Sequence, residues 1–234
     1  MHRQVRLDAQ TGKLIEEIAS NDKCNCGGVL LDDDTKEVRA VSFNYARTER
    51  TFFDAELEKD FKKLEAAGAA GSEVTISSRT RDDQTVRPAT APTRDQPKTS
   101  RPRPRSATHA LGLPAPVQWV VMYRRDDGPS EYVLYDRTSG KSDPLFVSQP
   151  SLLEYKFAHM EDVRIPARDG LELVAYLTRA QTDKPTPMVL LVHGGPWARD
   201  FWGFNPAAQW LANRGYAVLQ VNYRGSAAGV DTAS

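Results

Sequence analysis

Cysteine is nearly missing: the 234 residues hold two, Cys24 and Cys26. One residue between them is too tight for an ordinary structural disulfide, and two thiols are too few for zinc. A disulfide framework and a structural metal are excluded, leaving two free thiols in a loop as the expectation. No residue set calls for a cofactor. Net charge is missing too: 31 basic and 31 acidic side chains cancel. Global charge therefore argues against nucleic acid as a partner. No apolar run approaches the roughly 20 residues of a membrane helix, and residues 1–7 lack the apolar core of a secretory signal. No membrane association and a cytoplasmic location are the expectation. What is present is ordinary for a globular protein, with 40% hydrophobic and 26% charged residues.

The first 85 residues read as β-structure broken by one helix. Residues 38–45 alternate, with Val38, Ala40, Ser42 and Asn44 on one face and Arg39, Val41, Phe43 and Tyr45 on the other. Residues 55–67 carry Leu57, Phe61 and Leu64 at helical spacing, and Gly68 ends the pattern. A turn of the form D-x-x-x-G-K occurs twice, at Asp8–Lys13 and at Asp136–Lys141, each time between two strands. That recurrence suggests repeated hairpins of the kind found in propeller blades.

Residues 86–118 break the texture. They hold seven prolines and six basic residues against one Asp, and no aromatic residue. Such a stretch cannot bury enough apolar surface to offset its ordering entropy, so it reads as disordered. Joining Thr85 directly to Trp119 restores a continuous hairpin. Val86 and Gln118 can be encoded with GT at the start and AG at the end, which fits a translated intron. The rival is a genuine basic loop, with no aromatic platform to add specificity for nucleic acid. Transcript reads that join Thr85 to Trp119 support the intron; continuous reads alone exclude it.

After residue 160 the pattern changes again. Residues 163–166 and 171–178 flank Arg168-Asp169-Gly170, a hairpin signal. Residues 188–192 are wholly apolar, the mark of a buried parallel strand. A glycine-rich turn follows, then a helix at 206–213 closed near Gly215, then a second buried strand at 216–221. This is the opening of an α/β fold. The turn reads His193-Gly194-Gly195-Pro196. Glycines here let the backbone bend sharply and bring N–H groups close to a substrate. In α/β-hydrolases an N–H of this loop forms half of the oxyanion hole.

The HGGP turn with Asn222-Tyr223-Arg224-Gly225-Ser226 after the next strand resembles the catalytic domain of peptidase family S9, the prolyl oligopeptidases, in its acylaminoacyl-peptidase-like and dipeptidyl-aminopeptidase-like branch. Residues 163–177 resemble the lead-in hairpin of that family, and residues 27–47 and 77–85 its last propeller blades. The fold this implies is β plus α/β: the C-terminal part of a β-propeller, then the first strands of an α/β-hydrolase. Propeller blades would occupy residues 1–85, the insert 86–118, the last propeller hairpins 119–157 and the hydrolase part 158–234.

The resemblance implies a serine-type peptidase acting on short peptides or acyl-amino acids through a Ser-His-Asp triad. Gly195 would offer its N–H to the oxyanion, with His193, Gly194 and Pro196 beside it. His193 stands where related peptidases place a tyrosine; its plainer reading is a strand-end residue packed under the loop. Arg224 reads as a residue that orders loops near the site. No G-x-S-x-G occurs in the 234 residues, and Ser226 follows Gly225 but precedes Ala227-Ala228, without the flanking glycine that a nucleophile elbow needs. The nucleophile and triad are therefore absent, and the chain alone is expected to be inactive. A non-enzymatic propeller-type scaffold and an esterase on the same fold are the alternatives.

Overall fold

A computed structural model describes residues 2–32, 35–80, 117–180, 182, 184–195 and 197–227. The insert up to residue 116, Pro196 and residues 228–234 lie outside the described residues. Two compact units result: Met1–Lys59 with Arg125–Gly128 and Ser151–Ser234, and Asp60–Arg124 with Pro129–Pro150.

The first unit opens with an antiparallel pair, β1 (His2–Leu7) and β2 (Leu14–Asn21). A three-stranded antiparallel sheet follows: β3 (Cys26–Leu31), β4 (Val38–Asn44) and β5 (Thr48–Phe52). The strand β5 has no clear apolar alternation, so its sequence gives no sign of it. It forms because residues 45–47 turn the chain back and Asn44 pairs with Thr48. Cys24, Val41 and Phe43 form a buried cluster with Ile18, Ala19, Cys26, Val38 and Tyr45 packed around it. Both thiols are free, but Cys24 is fully buried in this core and Cys26 begins β3. Cys24 lies in the β2–β3 loop as expected, so the loop placement is corrected for Cys26 alone, and burial pushes the Cys24 thiol above its ordinary value.

Helix α1 (Ala55–Ala67) matches its apolar spacing, with Leu57, Phe61 and Leu64 all buried. Asp54 caps it: Oδ1 accepts from Glu56 N and Leu57 N, each at 2.9 Å. Arg39 Nε donates to the other oxygen of Asp54 at 2.7 Å, which fixes the cap against β4.

The second unit is a four-stranded antiparallel sheet in the order β6 (Glu73–Arg79), β7 (Gln118–Arg124), β8 (Glu131–Asp136), β9 (Lys141–Val147). Gln118, expected in the insert, is the first residue of β7. Thr80 N donates to Gln118 O, and Gln118 N to Thr80 Oγ1, both at 2.9 Å. The two ends of the undescribed stretch therefore meet in one hairpin. The sheet buries Trp119, Val121, Tyr123 and Tyr135. Tyr135 Oη donates to Asp60 Oδ1 at 2.8 Å, and Arg137 Nε to Asp60 Oδ2 at 2.6 Å, so the buried carboxylate is paired on both oxygens.

Back in the first unit, β10 (Met160–Pro166) and β11 (Glu172–Thr178) form the expected hairpin around Gly170, which has φ +85°. The strands β12 (Met188–Leu191) and β13 (Ala217–Val221) pair in parallel, with helix α2 (Pro206–Ala212) between them in sequence. Asn205 Oδ1 caps α2 by accepting from Ala207 N and Ala208 N, and Pro206 fills the first turn. The sheet order is β10-β11-β13-β12, with β11 antiparallel to β13.

One of the two buried-strand expectations changes here. β13 has neighbours on both sides, so it is the central strand its apolar run suggested. β12 has one neighbour among the described residues, and Met188 and Leu190 are more than half exposed, so it is not the buried strand expected. An all-apolar run cannot distinguish a central strand from an edge, because it carries no alternation to assign a solvent face.

The core beneath this sheet is Ala46, Met160, Val174, Tyr176 and Trp202. Gln209 of α2 is buried and fully used: Oε1 accepts from Ala158 N, and Nε2 donates to Ala158 O and Asp126 O. No helix among the described residues is long and apolar enough to cross a membrane.

Candidate oxyanion loop and its supports

The strand β12 ends at Leu191, and the chain turns at once through His193, Gly194 and Gly195. Gly195 adopts φ +136°, a region that side chains rarely enter. A Cβ on it would stand 3.0 Å from both Trp197 N and Ala198 N. The glycine is thus required twice, by its backbone angle and by the tight return of the loop. Gly194 has open space around it.

The loop is tied to the segment after β13 at several points. His193 Nε2 lies 2.9 Å from Ser226 Oγ, and His193 Nδ1 lies 2.9 Å from Gly194 O. The His193 and Tyr223 rings stack with centroids 4.5 Å apart, and Tyr223 Oη donates to His193 O at 3.3 Å. Ala227 N donates to Ala198 O at 2.9 Å. Asp200 N donates to Asn222 Oδ1 at 2.8 Å, and Asn222 Nδ2 returns a bond to Asp200 O at 3.1 Å.

Arg199, just past the loop, sends its guanidinium to the carbonyls of Asn44 and Tyr45. Tyr176 Oη donates to Ala46 O at 2.9 Å, and Arg47 lies over the Trp202 ring. The turn between β4 and β5 is therefore joined to the mixed sheet by donors from that sheet and its loops. Sequence reading overlooked Arg199, because a lone arginine after a glycine turn has no pattern of its own.

The Asp200 carboxyl is pushed above the usual range by burial, partly offset by the Gln220 side chain, His193 and Arg199. Its Oδ2 is buried with no hydrogen-bond partner among the described residues, and so is Gln220 Oε1.

Arg224 donates to Asp169 of the β10–β11 turn, and both groups are exposed. The Asp169 carboxyl is held below its ordinary value by the Leu171 N–H and by Arg224. Ser226 is buried, and its hydroxyl faces the imidazole of His193. Among the described residues no group of three or more His, Cys, Asp or Glu could hold a metal ion.

No family model matches the sequence. Solved structures share its fold. Dipeptidyl peptidase 4 of Porphyromonas gingivalis aligns with TM-score 0.54 and 15% identity, over 95% of this chain and 28% of that one. The Pyrococcus horikoshii acylaminoacyl peptidase aligns with TM-score 0.51 and 16% identity, over 93% of this chain and 28% of that one. These two likenesses show the fold that the chain shares with them. In sequence it is 37% identical over 231 residues to dipeptidyl aminopeptidase BIII of Pseudoxanthomonas mexicana. The chain belongs to the prolyl oligopeptidase family, peptidase family S9. The match takes in 94% of this chain but 28% of that relative.

Proposed function

We propose that this chain carries the oxyanion-loop part of a serine peptidase that acts on short peptides or acyl-amino acids. The turn at Gly195 is the observation that carries the reading. A glycine at φ +136° directly after a parallel strand is built to present a backbone N–H at the strand's C-terminal end. Residues 1–85 and 119–157 would supply propeller hairpins, and residues 158–234 the first strands of the hydrolase. The four-stranded antiparallel sheet β6–β9 has the size of one propeller blade, which supports that division.

The catalytic serine of such an enzyme sits in a G-x-S-x-G elbow, which these 234 residues do not contain. An oxyanion donor without a nucleophile has no covalent route to hydrolysis. The test is hydrolysis of chromogenic acyl-amino-acid and dipeptide substrates by the purified chain, with a fluorophosphonate probe in parallel. The expected result is neither turnover nor labelling. A longer polypeptide that adds the elbow, an aspartate and a histidine should show both. Labelling of the 234-residue chain at Ser226 would overturn the reading.

A further inference from the structure

We infer that Ser226 and His193 form a positioning pair that aims the Gly195 N–H. The inference rests on the oxyanion reading of Gly195 above. It starts from hydrogen-bond bookkeeping. A carbonyl oxygen only accepts, so the contact between His193 Nδ1 and Gly194 O requires a proton on Nδ1. In a neutral imidazole Nε2 is then bare and accepts, and Ser226 Oγ–H is the donor 2.9 Å away. Ser226 therefore selects the tautomer, and the tautomer makes the bond to Gly194 O.

That bond fixes a direction. The peptide between Gly194 and Gly195 is trans and planar, so its C=O and N–H point to opposite sides. Holding the Gly194 carbonyl toward the His193 ring turns the Gly195 N–H away from it. Two glycines in succession would otherwise let this peptide plane rotate easily. The ring itself cannot swing, because Tyr223 stacks on its face and bonds the His193 carbonyl.

Ser226 is buried and its hydroxyl is engaged by the His193 ring. It acts through His193, as a positioning residue and not as a nucleophile. The sequence motif N-Y-R-G-S thus supplies two of the groups that hold the H-G-G turn: the Tyr223 ring and the Ser226 hydroxyl.

The experiment is a long-range proton–nitrogen spectrum of the histidine rings in the full 234-residue chain, in mildly alkaline buffer above the ordinary imidazole range, with Leu190→Lys in every sample to keep the exposed β12 edge from pairing with other copies. His193→Gln assigns the signal. The expected wild-type pattern is a proton on Nδ1. Ser226→Ala should shift the ring toward the Nε2-protonated form and move the Gly195 amide resonance. Ser226→Thr, which keeps the hydroxyl, should restore both. Tyr223→Phe should leave the tautomer unchanged. An Nε2-protonated ring in the wild type overturns the inference, as does a Ser226→Ala spectrum with both signals unmoved. Should Ser226→Ala lose its dispersed spectrum, the wild-type tautomer and the Ser226→Thr spectrum still decide. None of these signals needs turnover, so a failure here leaves the peptidase reading intact, and an inactive longer polypeptide leaves this inference intact.

Discussion

Lys36 stands at φ +61° in the same turn position that Gly12 occupies at φ +67°. Asp8 Oδ1 accepts from Thr11 N at 2.7 Å and from Thr11 Oγ1 at 2.8 Å, and the turn closes through Gly12 to Lys13. Asp32 Oδ1 accepts from Thr35 N at 2.9 Å and from Thr35 Oγ1 at 3.2 Å, and Asp32 N bonds Glu37 O at 2.8 Å. Asp136 with Ser139 and Gly140 repeats the arrangement a third time, with Gly140 at φ +70°. In each copy a short acidic side chain folds back on the backbone of the Thr or Ser three residues on. The residue after that Thr or Ser must then enter the left-handed region, and only glycine does so without strain.

Lys36→Gly should therefore stabilise the β3–β4 hairpin by roughly 1 kcal/mol, the left-handed penalty less the added chain entropy of glycine. Gly12→Ala should cost a similar amount, about 1 kcal/mol. No atom lies within 4 Å of where its Cβ would be, so that loss is purely conformational. Urea midpoints of the two variants check both. A lower midpoint for Lys36→Gly would mean that contacts of the lysine side chain outweigh the strain.

All three segments, Asp32–Lys36 included, read as turns in the sequence, but only two show themselves as copies of one form, because two carry glycine. The third copy hides behind Lys36, whose preference for the right-handed region the hairpin overrides. Helix α1 is legible to the residue, since three apolar positions at helical spacing and a following glycine define it. The edge position of β12 is not legible, because pairing partners are set by the tertiary fold. At the site, the glycine turn announces itself through composition. The Ser226–His193 contact does not, because 33 residues separate the partners and only the parallel β12–β13 pairing brings them together.

Alkaline pH should loosen the second unit through Tyr135. Its phenol is pushed up to about 12, first by burial and then by the bond to Asp60. A folded value above the ordinary 10.0 means that the native state holds the proton more tightly. The stabilisation is complete below about pH 10 and is lost as pH rises toward 12. Tyr135→Phe should flatten this loss and cost about 1 kcal/mol at neutral pH for the missing hydrogen bond. Melting curves across pH for both proteins test the sign. Ionisation of Tyr135 close to its ordinary value of 10.0 would contradict it.

The chain on its own should aggregate through β12. Among the described residues that strand is an edge, and Met188, Leu190 and Val192 are 57%, 58% and 55% exposed. An apolar edge with free backbone groups is a template for pairing with another chain. Leu190→Lys places a charge on the exposed face and should raise the soluble, monomeric fraction severalfold, read by size exclusion with light scattering. A wild-type chain that runs as a clean monomer with a sharp melt would refute this.

Replacing Asp200 by asparagine should stabilise the protein at neutral pH. Burial raises the Asp200 carboxyl above 3.8, so the folded state favours its protonated form. The favourable contribution of that proton is present below the unfolded value and disappears as pH rises through the higher folded one. At neutrality the charged carboxylate therefore opposes folding. Among the described residues its Oδ2 finds no donor, and the neighbouring Gln220 Oε1 finds none either. The Asp200→Asn substitution removes the charge while keeping the size of the side chain. The melting temperature of Asp200→Asn should exceed that of the wild type at neutral pH, and the gap should close as pH falls toward 3.8. A variant that melts lower at neutral pH would show that the attraction of Asp200 to His193 and Arg199 outweighs its burial, and would reverse the sign of the pH dependence.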